Sequence, residues 1–369
     1  TDKITTLKYI KIKTLKRILA ATTLLVTLGF ASEANAQVPL ENFFKNPEKA
    51  GYQISPDGKY FSYMAPYENR LNLFVQEVGS DKATRITSET VRDLAGSMWA
   101  NGHRILYIKD TAGDENFQLY GVNVDGTDSK AYTAFPKVRT TIIDPLENID
   151  SLVIIGLNKR NPQVFDPYRL NLNNGELTQL AENPGNIQGW MTDHNGKLRV
   201  ALAIVDGVNT QILYRETEEQ PFRPVLTTNF KETVSFATFT PDNKMVYALT
   251  NIGRDKTALV LMDPATCEEK EVLYTNDKYD ISGLGYSELK KKLISVSCTG
   301  HKGTIRHYFD KNEEAIRTKL EQKLEGYDIN TTSEDKSENI RIIYAGGDRT
   351  YGTYYTYNVK EDKLTKIAD

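Results

Sequence analysis

The 369-residue sequence is poor in the residues that build covalent or metal-based staples, with two cysteines, four histidines and two tryptophans. Cys267 and Cys298 fall in different repeats, and no C-x-x-C spacing occurs, which excludes a disulfide framework and a structural zinc site. Two unpaired, largely buried thiols are the expected reading. His103 and His194 sit beside turns, where a solvated role is expected, and His301 and His307 flank a loop without an acidic third ligand. No metal and no cofactor are therefore expected. The net charge is only −3, and Lys and Arg are scattered, so the chain lacks the basic stripe that would track phosphates; nucleic acid is excluded as a partner. The pairs Glu218-Glu219, Glu268-Glu269 and Glu313-Glu314 fall in turns between outer strands and read as solvated charge.

Long hydrophobic runs are missing too. The longest apolar stretch, Ile18 to Phe30, is 13 residues, well short of the roughly 20 a membrane span needs. It follows Lys13, Lys16 and Arg17 and precedes Ala34-Asn35-Ala36, the order of a cleavable signal peptide with Gln37 as first mature residue. Residues 1–36 are thus expected to be a signal-peptide helix with an upstream extension, and the mature protein to be exported, periplasmic or extracellular, with no stable membrane span after cleavage.

What the chain has in quantity is strand and turn. From residue 50 a four-strand pattern recurs with a period in the mid-forties, the range of propellers. In the first unit, Ser55-Pro56-Asp57-Gly58 makes a turn in which Pro presets φ and Gly closes, and Lys59 to Ala65 then alternates with period two. Gly58, Gly102 and Gly196 hold the register at spacings of 44 and 94, one and two periods. One four-stranded sheet cannot bury both faces alone, whereas blades packed radially can. The fold class is all-β: a seven-bladed β-propeller of four-stranded antiparallel blades over 37–369. The blades fall at about 50–87, 94–133, 139–180, 187–227, 233–275, 280–324 and 326–368. Only Asn312 to Lys323 reads as helix within it. The seventh unit is complete by itself, so whether the ring closes by a shared strand is open.

The opening Val38-Pro39-Leu40-Glu41-Asn42-Phe43-Phe44 with Ile54-Ser55-Pro56-Asp57-Gly58-Lys59 resembles the start of a mature serine peptidase of the prolyl oligopeptidase family, in its acylaminoacyl-peptidase and dipeptidyl-aminopeptidase-like branches. Further matching stretches are Ile105 to Asp110 with Gly113-Asp114-Glu115-Asn116, Gly156 to Pro162, and Asp166 to Arg169 with Gly175-Glu176-Leu177. The resemblance implies a C-terminal α/β-hydrolase domain as partner, short peptides as substrates, and one propeller face that covers the active site. That domain carries its nucleophile on a G-x-S-x-G elbow, and this chain has none, so no catalytic residue is expected here and the chain alone is expected to be inactive.

The candidate functional surface is the loop Asp110 to Asn116, bearing Asp110, Asp114, Glu115 and Asn116, with the segment Asn158 to Pro162; both follow an inner strand and are rich in polar groups. Arg139 and Arg160 are candidates to point toward the hydrolase chamber, with ordinary loop salt bridges as the competing reading. The rival function is a stand-alone periplasmic propeller acting as a protein-binding scaffold, similar to translocation-associated propellers. A glycan-cleaving propeller ranks last, because no convincing acid pair is present.

Overall fold

The computed structural model describes residues 47–301, 303–348 and 350–369, together with Pro39, Leu40 and Phe44. The expected signal region and the rest of the 38–44 opening lie outside the described residues. From residue 47 the chain forms seven consecutive antiparallel sheets, and in each the strands are hydrogen-bonded in sequence order.

The first blade is β1 (Ala50–Ile54), β2 (Tyr60–Tyr67), β3 (Arg70–Glu77) and β4 (Ala83–Arg85). The second is β5 (Gly96–Asn101), β6 (Arg104–Lys109), β7 (Gln118–Asn123) and β8 (Lys130–Ala131). The third is β9 (Thr140–Asp144), β10 (Leu152–Asn161), β11 (Val164–Asn171) and β12 (Leu177–Gln179). The fourth is β13 (Ile187–Thr192), β14 (Leu198–Val205), β15 (Asn209–Tyr214) and β16 (Arg223–Thr228), and the fifth is β17 (Val234–Phe239), β18 (Val246–Thr250), β19 (Ala258–Met262) and β20 (Glu269–Tyr274). The sixth has only β21 (Ile281–Ser287), β22 (Lys292–Gly300) and β23 (Gly303–Tyr308), followed by helix α1 (Lys311–Lys323). The seventh is β24 (Asp328–Glu334), β25 (Ile340–Gly347), β26 (Thr350–Asn358) and β27 (Lys363–Ala368).

The turns between first and second strands share one chemistry. Ser55 Oγ accepts from Lys59 N and Tyr60 N at 3.1 and 2.9 Å, while Gly58, at φ 73°, donates its N–H to Ser55 O. Thr240 and Asp335 do the same work in blades five and seven, Thr240 Oγ1 accepting from Met245 N and Asp335 Oδ1 from Ile340 N. A short oxygen-bearing side chain at the first turn position satisfies amides that the hairpin leaves unpaired, which is why Ser, Thr and Asp recur there.

The second strand of blade three has the longest buried run of the set; Val153 to Leu157 of β10 are all buried between the neighbouring blades. Each interblade seam is a layer of such side chains, for example Leu73, Val75, Ile105, Tyr107 and Val122 between blades one and two. Closure needs no shared strand. Ile342 of β25 is fully buried among Tyr52, Ile54, Phe61 and Tyr63 of blade one. Ile54 N donates to Ser333 Oγ at 3.1 Å, and Lys336 N to Pro56 O at 2.9 Å.

The sixth blade departs from the four-strand expectation. Its fourth element is α1, capped by Asp310, whose carboxylate accepts from Asn312 N and Glu313 N. The helix turns Ile316, Leu320 and Leu324 onto Ile329, Ile343 and Tyr357 of blade seven. Glu313 is not solvated as expected: it is buried and bidentate to Arg341 at 2.8 and 3.0 Å. Glu218 is likewise paired, with Arg169 at 2.7 Å. Cys267 and Cys298 are free thiols, and burial pushes the Cys267 thiol up to about 12.

Candidate functional site

Strand order alternates direction, so the connections between second and third strands and between successive blades share one face, here the loop face. First-to-second turns lie on the opposite, turn face. Sequence-derived candidates all lie on the loop face of blades two and three. Asp110 ends β6, is buried, and lies 3.5 Å from Arg92 Nε while accepting from Glu115 N at 3.2 Å. Asp114 folds the loop on itself by accepting from Thr111 N, Asn116 N and Asn116 Nδ2 at 3.1–3.2 Å, and these bonds lower its carboxyl below the ordinary range. Glu115 is exposed, at φ 57°.

Asn158 ties the entry to β9 to the β10–β11 loop of the same blade: its Oδ1 accepts from Arg139 N at 2.6 Å and its Nδ2 donates to Pro162 O at 2.9 Å. The Arg139 side chain lies over the Phe117 ring at 5.4 Å. Arg160 does not point into open space. It clamps the fully buried Asp166 with two 2.9 Å bonds and donates to Asn183 O at 2.7 Å. Its role is to neutralise a buried carboxylate, which sequence could not reveal because the partner sits on the adjacent strand.

The same face exposes large apolar side chains. Phe230, between β16 and β17, is 77% exposed; Val208, between β14 and β15, 62%; and Val91, between β4 and β5, 64%. They stand on three separate connections, between blades one and two, within blade four and between blades four and five, while Leu289, 57% exposed, lies on the turn face.

A cavity of about 870 Å³ opens along the inner strands, lined by Gln53, Trp99, Tyr286 and Asn330 from four blades and running outward toward Arg341. Among the described residues, the Tyr286 hydroxyl and Trp99 Nε1 are buried in its wall with no hydrogen-bond partner. At the turn face the channel is crossed by residues 145–151, which join β9 to β10. Asn148 Nδ2 donates to Glu288 Oε2 of blade six at 3.0 Å, and Lys336 of blade seven holds Asp150 at 2.6 Å. Asn101 Nδ2 of blade two donates to Asp150 O at 3.2 Å, and Thr192 of blade four bonds Asp144. In a ring of seven, a blade-three loop reaches blade six only by crossing the axis. His194 belongs to this cluster, stacked on Tyr286 and 3.4 Å from Glu288, rather than to the solvated surface expected for it. The one sequence signal was length: this is the longest of the seven inner connections.

No family model matches the chain. Over 336 residues it is 29% identical to dipeptidyl aminopeptidase BIII of Pseudoxanthomonas mexicana, covering 88% of this chain and 47% of the relative. Over 355 residues it is 26% identical to dipeptidyl peptidase family member 6 of Caenorhabditis elegans, covering 90% and 47%. The chain therefore spans about half the length of these curated relatives. A solved chain from a structural and mechanistic study of two prolyl endopeptidases superposes with a TM-score of 0.60 at 12% identity, over 95% of this chain and 55% of that one, which shows a shared fold.

Proposed function

Because the chain is homologous to the propeller portion of prolyl-oligopeptidase-family peptidases, we propose that it docks and gates an α/β-hydrolase domain, admitting short peptides of the dipeptidyl-substrate type. The observation that carries this reading is the asymmetry of its two faces. The loop face offers Phe230, Val208 and Val91 beside charged loops, a mixture suited to an interdomain contact. The turn face is crossed at the axis by residues 145–151, which narrow its mouth. A chamber under the loop face would then be closed to folded chains and open to short ones.

The test mixes the purified chain with the catalytic portion of the Pseudoxanthomonas relative. Alone, the chain is expected to release no chromophore from dipeptidyl p-nitroanilides. In the mixture, cleavage of unfolded casein should fall while dipeptidyl cleavage holds. Hydrolysis by the chain itself, or casein cleavage unchanged by adding it, contradicts the proposal.

A further inference from the structure

Blade six ends on its third strand. In the other six blades the third strand is hydrogen-bonded to a fourth, whereas β23 pairs only with β22. Phe309 N donates to Ile294 O, which fixes the alternation. Gly303, Ile305, His307 and Phe309 turn their backbone groups toward β22, and Thr304, Arg306 and Tyr308 turn theirs away. Among the described residues nothing bonds those three N–H or C=O groups.

The other outer edges are blunted by shortness, charge or proline, the usual guards against strand pairing. β4, β8 and β12 are three, two and three residues long. β16 carries Pro224, β20 the run Glu269-Lys270-Glu271, and β27 Lys363 and Lys366. β23 has six residues, none of them Pro, Asp, Glu or Lys. One face of this edge is apolar and aromatic: Ile305 and Phe309 are exposed, and the His307 ring stacks on Tyr274 of blade five at 4.5 Å and meets Phe309 edge-on at 5.2 Å. The other face carries Arg306 and Tyr308, which with Ile316, Arg317 and Leu320 of α1 line part of the large cavity. Arg317 is engaged by Glu321 at 2.7 Å and donates to Ile329 O, while Arg306 has no ion-pair partner among the described residues.

We propose that β23 receives an extended segment of another protein as the fourth strand of blade six, antiparallel, with a carboxylate opposite Arg306 and apolar side chains opposite Ile305 and His307. Open N–H and C=O groups on three alternate residues are spaced for an extended backbone, whose main-chain bonds give affinity while alternate side chains give specificity. The unpaired guanidinium selects an acidic residue on one face, and the Ile305–Phe309 side selects an apolar one on the other. A second copy of this chain fits less well, because the register that uses all three open residues of each copy sets Arg306 against Arg306. The site lies at the rim of blade six and goes beyond the gating reading, on which it does not depend.

The probe is an acetylated, amidated heptapeptide of alternating valine and threonine, with glutamate in place of the central threonine. The readout is amide hydrogen exchange on the whole chain. Without peptide, Thr304, Arg306 and Tyr308 are expected to exchange fast, and Ile305 and His307, which bond β22, slowly. Peptide at about ten times its Kd should slow the three by about tenfold and leave Ile305 and His307 as they were. The same peptide N-methylated at its threonines and glutamate should leave all three fast, because it cannot donate to the edge. In Arg306→Glu the glutamate peptide should lose its effect and a central-lysine peptide should gain it. Five results overturn the proposal: three amides already slow without peptide, no slowing up to the peptide's solubility limit, slowing by the methylated peptide, a glutamate peptide that serves Arg306→Glu equally, or slowing that grows with protein concentration alone and marks a second copy as the occupant. The hydrolase domain takes no part in the experiment, so failure here leaves docking on the loop face standing.

Discussion

Arg341→Ala is expected to cost about 3–5 kcal/mol in urea unfolding, the penalty for stranding buried charge. Arg341 and Glu313 are each about one-tenth exposed, and their two hydrogen bonds join blade seven to α1. Arg341 Nε also lies 3.3 Å from Glu334, and Lys290 holds Glu313 at 2.7 Å and Glu338 at 3.0 Å. Three carboxylates thus share two cations, and removing the guanidinium leaves their repulsion uncompensated. Replacing the pair together, Glu313→Leu with Arg341→Met, should recover most of the loss, because the packing of Ile316 and Leu320 on blade seven does not depend on charge. Burial pushes the Glu313 carboxyl up, but hydrogen bonds from Arg341 and Lys290 outweigh it and hold it below its ordinary 4.5. A lowered carboxylate stabilises the fold above its ordinary value, and that share is lost as pH falls through the lowered value. Acid titration of stability should therefore be shallower in the double variant. A single variant that melts with the unaltered chain would show the pair to be ornamental.

Ile342→Ala is expected to cost about 2–5 kcal/mol and to loosen the ring at one place. Propellers that share a strand between first and last blades close by backbone ladder; here the seam is side-chain packing of Ile342 with Tyr52, Ile54, Phe61 and Tyr63. The bonds Ile54 N to Ser333 Oγ and Lys336 N to Pro56 O add direction but little burial. A cavity at Ile342 should raise hydrogen exchange in β1 and β24 before it does so in β13 or β17. Uniform acceleration through all blades would place the weak point elsewhere.

The repeat was readable because each blade solves the same problem with the same residues. An oxygen-bearing side chain opens the inner turn, an apolar second strand lies between two neighbours, and polar residues mark the outer turns. That grammar gives fold class and strand order, and Asn312 to Lys323 is readable as helix from its run of Glu, Lys, Arg and Leu without strand alternation. What local pattern cannot carry is contact around the ring. Nothing near Asn148 points to Glu288, 140 residues on, and the segment 145–151 reads as a turn with surplus length. Arg160 reads either as facing the chamber or as an ordinary loop salt bridge, and local pattern cannot name Asp166, on the adjacent strand, as its buried partner. Glu313 looked solvated because Arg341 arrives from the next blade.

The central claim is that the loop face seats a hydrolase domain. The most direct measurement is a hydrogen-exchange footprint of the chain with and without the catalytic portion of the Pseudoxanthomonas relative. Protection is expected at 110–116, 159–163, 206–208 and 229–233, with 145–151, 193–197 and 288–291 unchanged, and Phe230→Asp should abolish the pattern. Protection confined to those turn-face segments, or none on either face at concentrations where the two proteins co-elute, would contradict it.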